Sequence, residues 1–277
     1  MIRRLLFAAQ DRGTGPHLSR NIKLTLAYDG SEFYGWQIQP GLPTVQGILS
    51  EVIGRTTGEK VLPQGSGRTD AGVHAMAQIA TFVTDSPIPV ENLCVVLNDR
   101  LPPAIRVLGV EEVPSGFHAR HSARAKTYQY RVYRGEIVPP WLMRYVAHHP
   151  WPLDEETVFL AAKYVLGEHD FTSFAACDPD KSRRAEEDED GEIPRHATNV
   201  RTIYESSWSR KEHEMIYTVR GNGFLHHMVR NLVGTFLLVG KGTWKPEEVR
   251  RILAARDRSA AGPTAPASGL WMVKVEY

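Results

Sequence analysis

The run Gln64-Gly-Ser-Gly-Arg-Thr-Asp-Ala-Gly-Val-His-Ala75 sets two charged residues, Arg68 and Asp70, among small neighbours, with His74 close behind. Two glycines before Arg68 and one after Asp70 allow a loop whose backbone can come close to a ligand. Such a loop would hold a carboxylate ready, with a cation two positions away. The chemistry open to it is that of an ionised carboxylate: proton transfer or nucleophilic attack. The same residues also describe a tight turn in which Asp70 bonds only to its own backbone. Residue types alone leave both readings open.

Other chemistry is poorly supplied. Gly234 to Gly242 has the look of a phosphate loop, but five residues, not four, separate Gly234 from Gly240-Lys241, and Gly242 stands where Ser or Thr is needed. The pairs His118/His121 and His226/His227 lack a third ligand at metal spacing, and adjacent histidines on a helix point in different directions. No metal is therefore expected. No serine nucleophile elbow or short cysteine signature is present, and nothing near Cys177 would lower its pKa, so it reads as a buried or loop thiol. With Cys94 it is one of only two cysteines, too few for a disulfide framework and suited to a reducing compartment.

The chain of 277 residues is 42% hydrophobic, 23% charged and 9% aromatic, ordinary values for a globular protein with room for two cores or one large one. Its longest apolar candidate, Phe224 to Val239, is interrupted by His226, His227, Arg230 and Asn231, so it reads as a buried amphipathic helix and not a membrane span. The start, Met1 to Gln10, is too short in its apolar stretch for a secretory core, and residues 1–20 read as a frayed extension. A formal charge of +1 conceals an asymmetry. Asp178 to Glu192 holds eight acids against Lys181, Arg183 and Arg184, a net −5 that leaves +6 on the rest. That body could attract a polyanion, while the acidic stretch, about 178–194, lacks apolar periodicity and reads as a solvated loop.

The elements that must position these residues alternate irregularly. Strands are expected at Ile22 to Tyr28, Ala77 to Thr84, Arg106 to Val113, Thr127 to Tyr133, Glu214 to Arg220 and Trp271 to Tyr277. Helices are expected behind the Thr44 cap, from Val90 to Leu97, from Asp154 to Leu166 with Gly167 as the stop, from about Phe224 to Val239, and after Trp244-Lys-Pro. Without βαβ spacing or a glycine fingerprint, an α+β fold with mainly antiparallel pairing follows. The similar element order of the two halves suggests a duplicated α/β unit, divided into residues 21–115 and 116–277.

Gly67-Arg-Thr-Asp-Ala-Gly-Val-His-Ala75 resembles the signature of the tRNA pseudouridine synthase A family. Further segments match in order: Tyr28-Asp-Gly30 with Phe33-Tyr-Gly-Trp-Gln37, Phe117-His-Ala-Arg120 with Lys126-Thr-Tyr128, and His169 to Phe174. Gly223-Phe224 through His226-His227-Met-Val-Arg230-Asn231 and Ala265-Pro-Ala-Ser-Gly-Leu270 complete the set, which spans residues 21 to 277. The N-terminal extension and the acidic insertion depart from the family pattern without interrupting a motif.

The resemblance implies a pseudouridine synthase fold with the active-site cleft between the two halves. It implies isomerisation of uridine at tRNA positions 38, 39 and 40 of the anticodon stem-loop, without a cofactor, by a cytoplasmic homodimer with tRNA across both subunits. Asp70 matches the essential aspartate, Arg230 the arginine that pairs with it and holds it ionised and aimed, and Tyr128 the tyrosine that stacks on the target uracil. Without the resemblance, Tyr128 would read as strand packing, and Tyr130 on the same face would serve as well. Arg68 is the expected wedge or phosphate contact as the nucleotide is flipped, and His74, Phe224, His226 and His227 complete the expected substrate-binding set. Rival readings are a related synthase acting at other tRNA or RNA positions, and a non-catalytic RNA-binding protein. The last strand, Trp271 to Tyr277, is expected to complete the second half's sheet.

Overall fold

The structure, a computed structural model, describes residues 19–176 and 198–277. The N-terminal extension up to His17-Leu18, Cys177 and the acidic segment lie outside the described residues. Arg20 already belongs to the first strand, β1 (Arg20–Tyr28), which buries Ile22, Leu24 and Leu26 on one face as its alternation requires. Helix α1 (Val45–Thr57) is capped by Thr44, whose Oγ1 accepts from Gly47 N at 3.3 Å, and it ends on Gly58 in the left-handed region. Strands β2 (Gln64–Gly65) and β3 (His74–Thr84), helix α2 (Val90–Arg100) and strand β4 (Ile105–Val113) complete the first half.

The second half begins with β5 (Ala125–Tyr133) and β6 (Ala147–His148), followed by α3 (Glu155–Ala162) and β7 (Gly167–Asp170). Strands β8 (Val200–Lys211) and β9 (Glu214–Gly221), helices α4 (Met228–Gly240) and α5 (Glu248–Ala255), and strand β10 (Leu270–Glu276) follow.

All ten of these strands join one sheet in the order β4-β1-β3-β10-β5-β9-β8-β7, with β2 on β3 and β6 on β5. Pairing is antiparallel except at β3–β10 and β5–β6, so the α+β expectation holds. Strand β10 does more than complete the second half. It runs antiparallel to β5 on one edge and parallel to β3 on the other, with Trp271 beside His74 and Met272 beside Ala75. One buried cluster accordingly runs from Ile22 and Leu24 through Tyr128 and Tyr217 to Phe236 and Met272.

Three elements depart from the sequence expectation for identifiable reasons. Strand β8 was not foreseen: its inward positions are Arg201, Ile203, Ser206 and Trp208, and a bulge between Ile203 and Glu205 shifts the phase of the alternation. The helix from Asp154 tightens after Ala162 into a 3-10 turn, Lys163–Val165, and Gly167 (φ 92°) opens β7. Helix α4 starts at Met228, four residues later than Phe224, because His227 (φ 60°, ψ 2°) is left-handed.

Candidate active site

Asp70 lies on the loop between β2 and β3, and the backbone holds that loop from several sides. Ser66 N donates to Ile79 O at 2.7 Å, Ser66 Oγ to Gln78 Oε1 at 2.6 Å, and Gln78 Nε2 to Gly67 O at 2.7 Å. Trp36 N donates to Thr69 O at 3.0 Å, the Tyr28 hydroxyl and Thr69 Oγ1 are 2.8 Å apart, and Val73 N closes a turn on Asp70 O at 3.1 Å. The segment from Tyr28 to Trp36 presses on this loop through two glycines. A Cβ on Gly30 would stand 1.9 Å from Val73 O, and one on Gly35 (φ +84°) 2.5 Å from Thr69 O. Only glycine permits that approach. The loop is therefore more than a turn whose aspartate serves itself: the Asp70 carboxylate points away, to partners on another element.

Those partners stand at the start of α4. Arg230 Nη1 donates to Asp70 Oδ2 at 2.8 Å, while Arg230 Nε donates to Ala265 O at 2.8 Å. His227 Nε2 lies 3.3 Å from Oδ2 and His226 Nε2 lies 3.5 Å from Oδ1. The expectation that adjacent histidines diverge fails here, since neither residue is inside the helix. The left-handed turn at His227 brings the two rings to 3.9 Å, and both face the same carboxylate. Burial draws the His227 pKa down, with His226, Arg230 and Arg258 adding to the effect against the pull of Asp70, so this imidazole is neutral at neutral pH. The donor atoms of Asp70, His226 and His227 lie within 4.8 Å of one another, a spacing usable by a cation. Arg230 already delivers a full positive charge to Oδ2, which opposes a second one there.

Tyr128 forms the third side. On β5 it is buried, its ring edge-on to Phe224 at 4.9 Å and 75°. Its hydroxyl would be 3.7 Å from a Cβ on Gly67, so it borders the Asp70 loop, to which Lys126 Nζ also donates at Ser66 O. The hydroxyls of Tyr128 and Tyr130 differ in their surroundings. Tyr130 Oη is engaged with Pro266 O at 2.8 Å, whereas among the described residues nothing takes that of Tyr128. Burial, then the nearby Tyr28 and Asp70, push the Tyr128 pKa well up, so the phenol keeps its proton. Arg68 is half-buried on the same loop as Asp70.

His74 is not with them. Its side chain is 0% exposed: Gly30 N donates to its Nδ1 at 3.1 Å, its Nε2 lies 2.9 Å from Arg144 O, and its ring stacks on Trp271 at 4.4 Å. Asp29 Oδ1 also lies 3.3 Å from Nδ1, and burial draws the His74 pKa down against the pull of that carboxylate. The sequence expectation of substrate contact is corrected by this burial: His74 pins the seam where β3 meets β10. Two supporting residues escaped the sequence reading. Lys126 grips Ser66 O, and Asn231 donates to Phe174 O at 2.7 Å while accepting from Thr264 Oγ1 at 2.7 Å and Arg258 Nη2 at 3.0 Å. Both stand inside matched motif segments, which was the available signal.

The family model described as tRNA pseudouridine synthase matches residues 25–122 and 161–277. The chain belongs to this family. Among similar proteins, the tRNA pseudouridine synthase A of Solibacter usitatus (strain Ellin6076) is 50% identical over 258 residues, covering 93% of this chain and 100% of that one. Those of Brevibacillus brevis (strain 47 / JCM 6285 / NBRC 100599) and Moorella thermoacetica (strain ATCC 39073 / JCM 9320) are 44% and 43% identical, over 93% and 92% of this chain and 100% and 99% of theirs. The fold of this synthase is thus the pseudouridine synthase fold, with its mostly antiparallel sheet. Among the described residues no helix is long and apolar enough to cross a membrane.

Proposed function

We propose that this synthase isomerises uridine to pseudouridine at positions 38, 39 and 40 of the tRNA anticodon stem-loop, with Asp70 as the essential carboxylate. The observation that carries the reading is the Asp70–Arg230 pair. It joins residues 160 apart in sequence at 2.8 Å, next to the buried ring of Tyr128, whose hydroxyl no described residue takes. In the reaction the N1–C1′ bond of uridine breaks, the uracil turns, and C5 bonds to the same C1′ while its hydrogen passes to nitrogen. Nothing is imported and no electron is lost, so an ionised carboxylate beside the glycosidic bond is the reactive group required. Arg230, held on its other side by Ala265 O, pairs with Asp70 and aims its carboxylate. Tyr128 offers a ring for the flipped uracil and, because its proton is tightly held, a donor and not a base. Arg68 contacts the displaced strand, and Phe224, His226 and His227 line the base site.

On this reading residues 21–115 and 116–277 form two α/β halves with the RNA in a cleft between them, Asp70 coming from the first and Tyr128 and Arg230 from the second. A cytoplasmic homodimer is part of the proposal. The loop after β5 supports the homodimer by exposing the large apolar side chains Ile137 (80%), Trp141 (75%) and Met143 (62%). The test is incubation with unmodified tRNA transcripts, without added cofactor, and mapping of pseudouridine by position, with Asp70→Ala alongside. Product at 38 to 40 from the wild type alone is expected. Product elsewhere would refute the site choice, and tight binding without product would leave only an RNA-binding module.

A further inference from the structure

The Asp70 loop is held within the first half, but its far end is also gripped from the second. The grip is the short stretch of residues 144–146, which ends the loop after β5. Arg144 O lies 2.9 Å from His74 Nε2, Tyr145 Oη donates to Asp29 Oδ2 at 2.9 Å, and Arg144 Nη1 lies 3.1 Å from Glu32 Oε1. The stretch is tied to its own half as well. Trp271 Nε1 donates to Tyr145 O at 3.2 Å, and Ser268 Oγ donates to Val146 O at 3.0 Å.

Tyr145 contributes in two separable ways. Its ring is edge-on to the His74 ring at 5.3 Å and 60°, and 5.7 Å from that of Trp271. Its hydroxyl goes to Asp29 instead. Asp29 is fixed on several sides: its N donates to Ala104 O at 2.9 Å, and its Oδ1 accepts from Ser31 N at 2.9 Å and lies 3.3 Å from His74 Nδ1. It thereby caps the 3-10 turn Gly30–Glu32. From that turn the path to the reactive loop is main chain. Gly30 N donates to His74 Nδ1 at 3.1 Å, a Cβ on Gly30 would stand 1.9 Å from Val73 O, and Val73 N donates to Asp70 O at 3.1 Å. Backbone packed this closely transmits a shift instead of absorbing it, so movement of Asp29 passes through Val73 to Asp70. The Asp29 side chain is 24% exposed, so loss of the Tyr145 hydroxyl leaves Oδ2 open to water and costs little stability.

We propose that Tyr145 is a positioning residue for Asp70: its hydroxyl, acting through Asp29 and the contact of Gly30 with Val73, sets where the carboxylate stands against the bound nucleotide. The proposal rests on the reading of Asp70 as the reactive group and deepens it. Position matters because a misplacement of about 1 Å can cost about a hundredfold in rate. Tyr145 also ends the loop whose outer side exposes Ile137, Trp141 and Met143, so the seating of that loop and the aim of Asp70 are one arrangement.

The test is Tyr145→Phe in the full chain, which removes the hydroxyl and keeps the ring. With unmodified tRNA, kcat falls about tenfold while KM and Tm hold. Backbone amide hydrogen exchange, which needs no catalysis, quickens about tenfold at residues 70–74 and not in the rest of β3 or in β9. An unchanged kcat overturns the proposal whatever the exchange shows. So does a lower kcat with the exchange of residues 70–74 unaltered, since the effect would not then pass through the loop. A raised KM at constant kcat would make Tyr145 an RNA contact and overturn it too. A lower Tm with exchange quickened throughout the sheet would reduce Tyr145 to a strut of the β3–β10 seam. Were the wild type to make no pseudouridine while Tyr145→Phe still loosened residues 70–74, the enzymatic reading would fall and the placement of Asp70 by Tyr145 would stand.

Discussion

The two walls of the site are built differently. The Asp70 wall adds close main-chain contact to its side-chain bonds: Gly30 and Gly35 let the segment from Tyr28 to Trp36 press directly on the loop, and Trp36 N fixes Thr69 O, beside the bonds from Gln78, Tyr28 and Lys126. The Arg230 wall is held by side chains and by a strained residue. Asn231 ties α4 to Phe174, Thr264 and Arg258, Arg230 grips Ala265 O, and left-handed His227 turns two imidazoles toward the carboxylate. The first wall fixes the position of the reactive group, and the second tunes its surroundings. Substitutions should therefore act on stability at the first and on rate at the second.

The largest effect is expected at the first wall. Gly30→Ala drives a methyl group into Val73 O and should cost at least about 3 kcal/mol, because the obstacle is backbone and not a flexible side chain. Urea unfolding measures it, and a loss below 1 kcal/mol would show that the loop yields more easily than the contact implies. Next comes Arg230→Lys at the second wall. A lysine cannot serve Asp70 and Ala265 O together, so kcat should fall about a hundredfold with the urea midpoint nearly unchanged. Equal losses in both quantities would erase the distinction between the walls.

A smaller and opposite pair of effects is expected from His227→Gly. Relief of the positive φ should raise stability by about 0.5–1 kcal/mol, while kcat falls with loss of the imidazole beside Asp70. Stability lost on this substitution would mean that the ring contacts outweigh the strain. The smallest effect concerns pH. Burial draws His74, His149 and His227 below the ordinary histidine value, so the unfolded chain binds more protons than the folded one at mildly acid pH. Stability is then complete above the unfolded pKa of about 6.5 and declines as pH falls from there toward the folded values. Urea midpoints from pH 5 to 7 should rise, and His74→Gln should flatten the rise through the seam and not through the site.

Much of this was legible in the sequence. Thr44, Asp154 and the alternation of β1 and β5 announce their elements through local rules, and the Arg68–Asp70 run with its motif partners marked the site. What escaped depends on shape. The bulge in β8 breaks the period of two, and its inward Arg201 and Ser206 hide the apolar signal. The convergence of His226 and His227 rests on one backbone turn that residue types do not announce. His74 looked like part of the site because it closes the motif, yet the strand that begins at His74 turns its ring inward to Trp271. Adjacency in sequence stood in for adjacency in space at Asp70 and failed four residues later.

The position of β10 also carries a consequence for synthesis. Strand β3 and strand β5 cannot be joined until β10 has been made, and at about 5–20 residues per second β3 then waits on the order of ten to forty seconds for its neighbour. Throughout that interval the His74–Ala75 end of β3 offers unpaired backbone, the kind of edge that other nascent chains can add to. The seam beside the Asp70 loop is thus the last part of the sheet whose pairing can be completed as the chain grows.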